Sequence, residues 1–208
     1  MAAFLGNLRN VVIAGFVLAA LLFGLYLYTQ GYDGPTFELF LMRWLHVGAG
    51  VMWIGLLWYF NFVSTPTTPK IPEELRPALG RYITPAALWW FRWSAMATIV
   101  FGIALAWRNN YLVEAYTLDF SQGMAGWPLV PKYLGIGIGM WLATIMWFNV
   151  WFVIWPNQQK ALNIGGKYPD LTPPEKAAAG KTAGMFSRIN TLLSIPMLFA
   201  MVAAGHLY

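Results

Sequence analysis

The chain contains no cysteine, so disulfides, zinc–thiolate sites, iron–sulfur clusters, a cysteine nucleophile and the C-x-x-C-H attachment of c-type haem are excluded within it. Charge is nearly as scarce: 10% of the 208 residues are charged, against about a quarter in ordinary soluble domains. Histidine occurs twice, as His46 and His206. There is no G-x-S-x-G elbow, no glycine-rich phosphate loop and no carboxylate pair inside an apolar run. What fills the space is apolar (59%) and aromatic (17%), with 12 Trp. The net charge of +5 could hint at nucleic acid, but the basic residues sit between apolar runs rather than on a patch of their own. They read as topology signals, and no nucleic-acid partner is expected.

Apolar runs cover about 11–28, 44–63, 86–107, 134–155 and 189–207. Each is close to the roughly 20 residues a helix needs to cross a hydrocarbon core of about 30 Å. The expected fold is therefore all-α: a polytopic transmembrane bundle of five spans forming a single integral membrane domain over 1–208. The first run is long, ends in LYLYTQ and lacks a small-x-small cleavage site, which favours an uncleaved anchor over a signal peptide. Lys70, Arg76 and Arg81 fill the second connection, and Lys160, Lys167, Lys176 and Lys181 the fourth, while TQGYDGPTFELFLM, between the first run and Arg43, has neither Lys nor Arg. Together with Arg9, this places the N-terminus in the cytoplasm and the C-terminus outside.

The second connection carries a short helical signal in PEELRPALGRY, and the fourth suggests a helix from Pro174. The third, with Tyr111, Tyr116, Phe120 and Trp127, suits the outer interface, where rings with one wet edge are at home. MWIGLLWYFNFV (Met52 to Val63) aligns with MWLATIMWFNVW (Met140 to Trp151), pairing Asn61 with Asn149. Helices two and three are thus a candidate tandem repeat of helices four and five; chance matching of aromatic-rich spans is the competing reading.

The two histidines are the candidate cofactor and metal ligands. With Arg43 as the outer edge of helix two, His46 lies about 4.5 Å below that edge. Counted from Arg188 at the inner edge, His206 has climbed about 27 Å and stops about 3 Å short of the outer edge. Equal depth on facing helices is what two axial ligands of one haem b require, since each Fe–N bond is only about 2 Å. Gly48 and Gly50 leave room for a macrocycle or for close helix contact, and Arg43 could meet a propionate. A helix two that begins at Phe37 would instead put His46 about 13 Å deep and lose the match. The plainer alternatives are a His206 that is a wet interfacial residue, a His46 that bonds a neighbouring helix, and copper or no cofactor at all. Asn61 and Asn149 are expected to bond between helices, and Arg92 to anchor in a belt with Trp89, Trp90 and Trp93.

RWLHVGAGVMWIG, LWWFRWSAMATIVFGIAL, NVWFVIWPNQQKALNIGGKYPD and RINTLLSIPMLFAMVAAGH, in that order, resemble the N-terminal membrane domain of the cytochrome c-linked, membrane-bound urate oxidase (urate hydroxylase) family. The resemblance implies a polytopic bacterial inner-membrane domain that oxidises urate and passes electrons to a fused c-type cytochrome, with His46 and His206 on positions where the family also carries histidine. Ser94 stands where the family commonly has an acid, and no histidine lies between His46 and His206. The expectation is a haem-binding protein relaying electrons at the outer face, in a short form without a fused cytochrome. The alternatives are a non-catalytic subunit of a larger respiratory or photosynthetic complex, and a urate-oxidising enzyme using a separate cytochrome c.

Overall fold

The computed structural model describes residues 2–120, 123 and 126–207 and is helical throughout, with no strand among the described residues. Five helices are long and apolar enough to cross a membrane. By internal contacts the chain divides into two compact units, Met1–Phe40 and Leu41–Tyr208.

In the first unit, α1 (Leu8–Gln30) is apolar on every side and buries no residue. Its ends are set by local chemistry. Asn7 Oδ1 accepts the Arg9 N–H at 3.0 Å, and Gly31, at φ 77°, donates its N–H to the Leu27 carbonyl in a conformation a side chain would resist. Asp33 Oδ2 then accepts the Thr36 N–H at 3.2 Å and opens α2 (Gly34–Trp58) with Pro35 in its first turn. Phe23 meets Phe37 across the turn at 4.4 Å.

The second unit holds the core. It is built from the body of α2, α3 (Thr84–Arg108), α4 (Leu112–Tyr116), α5 (Pro131–Phe148), α6 (Trp155–Leu162) and α7 (Pro173–His206). Trp53 and Leu57 of α2 are fully buried among Phe91 and Ala95 of α3, Ala143 and Met146 of α5, and Ala183 and Met197 of α7. Alanine recurs at these contacts, where a small side chain lets the helices approach closely and pack by van der Waals contact. In the connection between α3 and α5, α4 lies against α5. A Cβ on Gly137 would collide with the Ala115 carbonyl oxygen, Tyr116 Oη bonds Thr144 Oγ1 at 3.0 Å, and Trp141 Nε1 donates to the Tyr116 carbonyl at 2.9 Å. Beyond it, Trp127 stacks on Phe120 at 4.6 Å and donates to the Leu118 carbonyl, and buried Asp119 accepts the Val130 N–H at 2.7 Å.

The helices outrun the apolar windows that reveal them. Helix two begins at Gly34 instead of Trp44 and continues to Lys70, and helix five begins at Pro173 instead of Ile189. Hydropathy sees only the part suited to lipid, whereas Thr172 and Glu175 form a capping box that starts α7 well before it. Three π-helical segments, Tyr59–Ser64, Leu79–Ile83 and Asn149–Ile154, each end two residues before a proline: Pro66, Pro85 and Pro156. Proline has no N–H and its ring strikes the carbonyl four residues back. Widening the preceding turn moves that carbonyl aside, and Thr65, Thr84 and Trp155 donate to Phe60, Leu79 and Val150. Asn61 and Asn149 both sit in such segments. Since Leu79–Ile83 lies outside the Met52/Met140 pair, proline suffices as the cause of the likeness.

Candidate functional site

His46 lies on α2 against α3. Its Nδ1 is 2.9 Å from the Thr98 carbonyl oxygen. A carbonyl only accepts, so Nδ1 carries the proton, and the lone pair of the neutral ring is on Nε2. The ring rests on Gly102, where a Cβ would come within 2.9 Å of its Cε1 and 3.1 Å of Nδ1. Only glycine leaves that seat open. One turn on, a Cβ at Gly50 would meet Thr98 Cγ2 at 3.9 Å, so Gly50 serves the approach of α2 to α3, while Gly48 has nothing within 4 Å of its Cβ position.

His206 is exposed near the end of α7, and its Nδ1 is 3.0 Å from the Val202 carbonyl of its own helix. Its Nε2 likewise has no hydrogen bond to a described residue. The structure therefore holds the two imidazoles separately, each on a different carbonyl and each with the same nitrogen left for a ligand. Their relative level can be counted from the hydrogen bond between Asn61 Nδ2 and Ser187 Oγ at 2.8 Å. From there His46 is 15 residues along α2 and His206 is 19 along α7, so at about 1.5 Å per residue their levels differ by about 6 Å. This count replaces the depth measured from Arg43, because α2 begins nine residues before Arg43 and the arginine marks no helix edge.

Arg43 is exposed and close enough to the connection between α3 and α5 for its charge to act on Tyr111. Burial pushes the Tyr111 phenol above its ordinary value, Arg43 pulls it back, and Tyr133, stacked on it at 5.9 Å, adds to the rise.

Asn61 and Asn149 bond between helices as expected from their positions. Asn149 Nδ2 donates to Asn190 Oδ1 at 2.9 Å, fully buried Asn190 donates to the Met146 carbonyl at 2.9 Å, and Trp58 Nε1 donates to Ser194 Oγ at 3.0 Å. Asn190 and Ser194 carried no separate signal in the sequence, since a polar residue on an otherwise apolar helix is visible but its partner is not.

A cleft at the Thr84 end of α3 was missed altogether. Two cavities of about 230 and 160 Å³ share Phe60, Ser64 and Thr84. Arg76 borders the larger and is spent on its own loop, donating to the Ile71 and Pro69 carbonyls; Asn61, Gln158, Ser187 and Arg188 border the smaller. Residues of all three π segments line these cavities. Turn widening next to proline, readable from S-T-P, I-T-P and I-W-P, was the available signal.

Arg92 does not stand free in a belt. Its Cζ lies 3.9 Å from the Trp155 ring centroid, 5.1 Å from Trp151 and 5.7 Å from Trp93. Among the described residues there is no group of three or more His, Asp or Glu placed to hold a metal ion.

No curated protein and no solved structure matches the chain. The stretches around His46 and Arg92 lie outside residues 129–207, whereas NVWFVIWPNQQKALNIGGKYPD and the segment ending at His206 lie within them. Residues 129–207, which carry α5, α6 and α7, match the family described as urate oxidase N-terminal.

Proposed function

We propose that the chain is a single five-span domain of a bacterial inner membrane, N-terminus inside, which holds haem b through His46 and His206 and relays electrons at the outer face to a c-type cytochrome or a larger membrane complex. The observation that carries the reading is the matched presentation of the two rings. Each commits Nδ1 to a backbone carbonyl and keeps Nε2 for a ligand, the outer-shell arrangement that fixes tautomer and orientation at imidazole–metal sites. Bound haem would supply one-electron chemistry. The chain's own part is to fix the His46 ring on Gly102, offer Arg43 as a cation for a propionate, and surround the site with apolar side chains. A pyridine haemochrome spectrum of the purified protein tests this. A Soret band that disappears in His46→Ala is expected; its absence from wild type, or its persistence in the variant, removes the haem.

The cleft favours a second reading, that of a urate-oxidising enzyme with a separate cytochrome c. Its lining combines donors and acceptors on Asn61, Gln158, Ser187 and Arg188 with the Phe60 and Phe91 rings, as a flat polar heterocycle needs, and three of the four polar residues lie in the stretch that matches the urate oxidase N-terminal family. Urate-dependent reduction of cytochrome c by membranes carrying the chain is then expected, and no reduction with cofactor loaded would discard it.

A further inference from the structure

Among the described residues Arg92 has no carboxylate partner. The segments packed around it, residues 84–108 and 131–162, contain no Asp or Glu. Glu73 and Glu74 are about 27 Å away along the same run of helix, and Glu175 is engaged by Thr172. The guanidinium donates no hydrogen bond to any described residue, and its Nε is buried without an acceptor, as is the neighbouring Trp151 Nε1. The three rings of the cage attract the cation through their electron-rich faces. An arginine within the span is costly unless its head reaches water or an anion. The cage steers the charge but does not satisfy it.

The surface beside the cage is apolar and open. Trp93 is 45% exposed, Phe148 51% and Phe152 59%. A small free anion would gain nothing from these rings, whereas an amphiphile would lay its chains on them. Lys160, five residues beyond Trp155 and exposed, adds a second cation on the side from which a headgroup would enter. On this charge complementarity we infer that Arg92, held by Trp93, Trp151 and Trp155, is the headgroup site for an anionic phospholipid, whose phosphate oxygens accept from the guanidinium while its acyl chains cover Trp93, Phe148 and Phe152. The inference rests on the membrane reading above and is independent of haem.

The experiment takes the full chain, delipidated in a neutral detergent, and measures its melting temperature with phosphatidylglycerol, phosphatidylcholine or inorganic phosphate added. With phosphatidylglycerol at about a hundred times its dissociation constant, wild type gains on the order of 5–10 °C. Arg92→Gln loses that gain, Arg92→Lys retains part of it, and His46→Ala retains all of it. Native mass spectrometry of Arg92→Lys and wild type counts retained anionic lipid directly and covers the case in which Arg92→Gln does not fold. An equal gain in Arg92→Gln, an equal gain with phosphatidylcholine, or the same gain from inorganic phosphate alone overturns the lipid site. Release of wild type from membranes by alkaline carbonate overturns the membrane reading itself, and a missing Soret band with an intact lipid response overturns only the haem.

Discussion

Replacing Gly102 by alanine should unseat His46, and Gly48→Ala is the matched control on the facing helix. Both substitutions gain up to about 1 kcal/mol, because alanine is the better helix former. At Gly48 nothing opposes that gain, since no atom lies within 4 Å of the new Cβ. At Gly102 the Cβ arrives 2.9 Å from Cε1 and 3.1 Å from Nδ1 of a ring that a hydrogen bond pins to Thr98. Relief requires the imidazole to move. Overpacking costs about 1–3 kcal/mol, and losing the bond to the carbonyl costs about 0.5–1.5 kcal/mol more. Relative to Gly48→Ala, Gly102→Ala should therefore be less stable by about 1.5–4.5 kcal/mol. In a chain of this size that is a melting temperature lower by at least about 3 °C. If the imidazole holds haem, a ring turned from its carbonyl should also bind haem about 10–100-fold more weakly. The assay is thermal unfolding in detergent alongside haem titration of the purified variants. Two variants that melt together would show that the His46 ring is not seated on Gly102, and the tautomer argument would fall with it.

Three further expectations concern the scaffold. Asn190→Ala removes a fully buried amide that joins Asn149 to the Met146 carbonyl and leaves both partners unpaired, so a loss of about 1–3 kcal/mol is expected in thermal unfolding. Gly137→Ala drives a methyl into the Ala115 carbonyl, which is backbone and cannot rotate away; α4 should lift from α5, and limited proteolysis should cut within residues 109–130 in the variant before wild type. The Tyr111 phenol is raised above its ordinary value of about 10, so the folded state holds its proton more tightly than the unfolded state does. That contribution is complete below the ordinary value and is lost as pH rises through the raised one. Tyr111→Phe should therefore flatten the fall in melting temperature between about pH 9 and 11, and an unchanged slope would count against burial of the phenol.

The helices were legible because an unbroken apolar run is a direct statement about solvent, and each of the five runs proved to be a helix. Their ends were not. Hydropathy falls to polar values at Pro173–Arg188 while the backbone stays helical under its Thr172 cap, so composition marks where lipid would stop and capping marks where the helix does. His46 and Arg43 were visible as polar residues in an apolar setting. What His46 touches was not, because Gly102 acts by lacking a side chain and Thr98 through its carbonyl, and neither contribution has a sequence signature. The same limit explains Arg92. A basic residue beside Trp89, Trp90 and Trp93 reads as a belt anchor, but two of the three rings around its head, Trp151 and Trp155, come from a stretch about 60 residues later, and only folding brings them together.

The length of α7 has a mechanical consequence. Its 34 residues make one rod of roughly 50 Å, with Arg188 on the wall of the cleft and His206 near the far tip, roughly 27 Å apart. A tilt of about 5° pivoting at the cleft would sweep the tip by some 2 Å, comparable to a metal–nitrogen bond. Pro196 lies between the two and leaves the Leu192 carbonyl without its helical donor, which makes it the natural flexure of the lever. Whatever occupies the cleft thus has a stiff arm, with one joint, reaching to the imidazole at the other end.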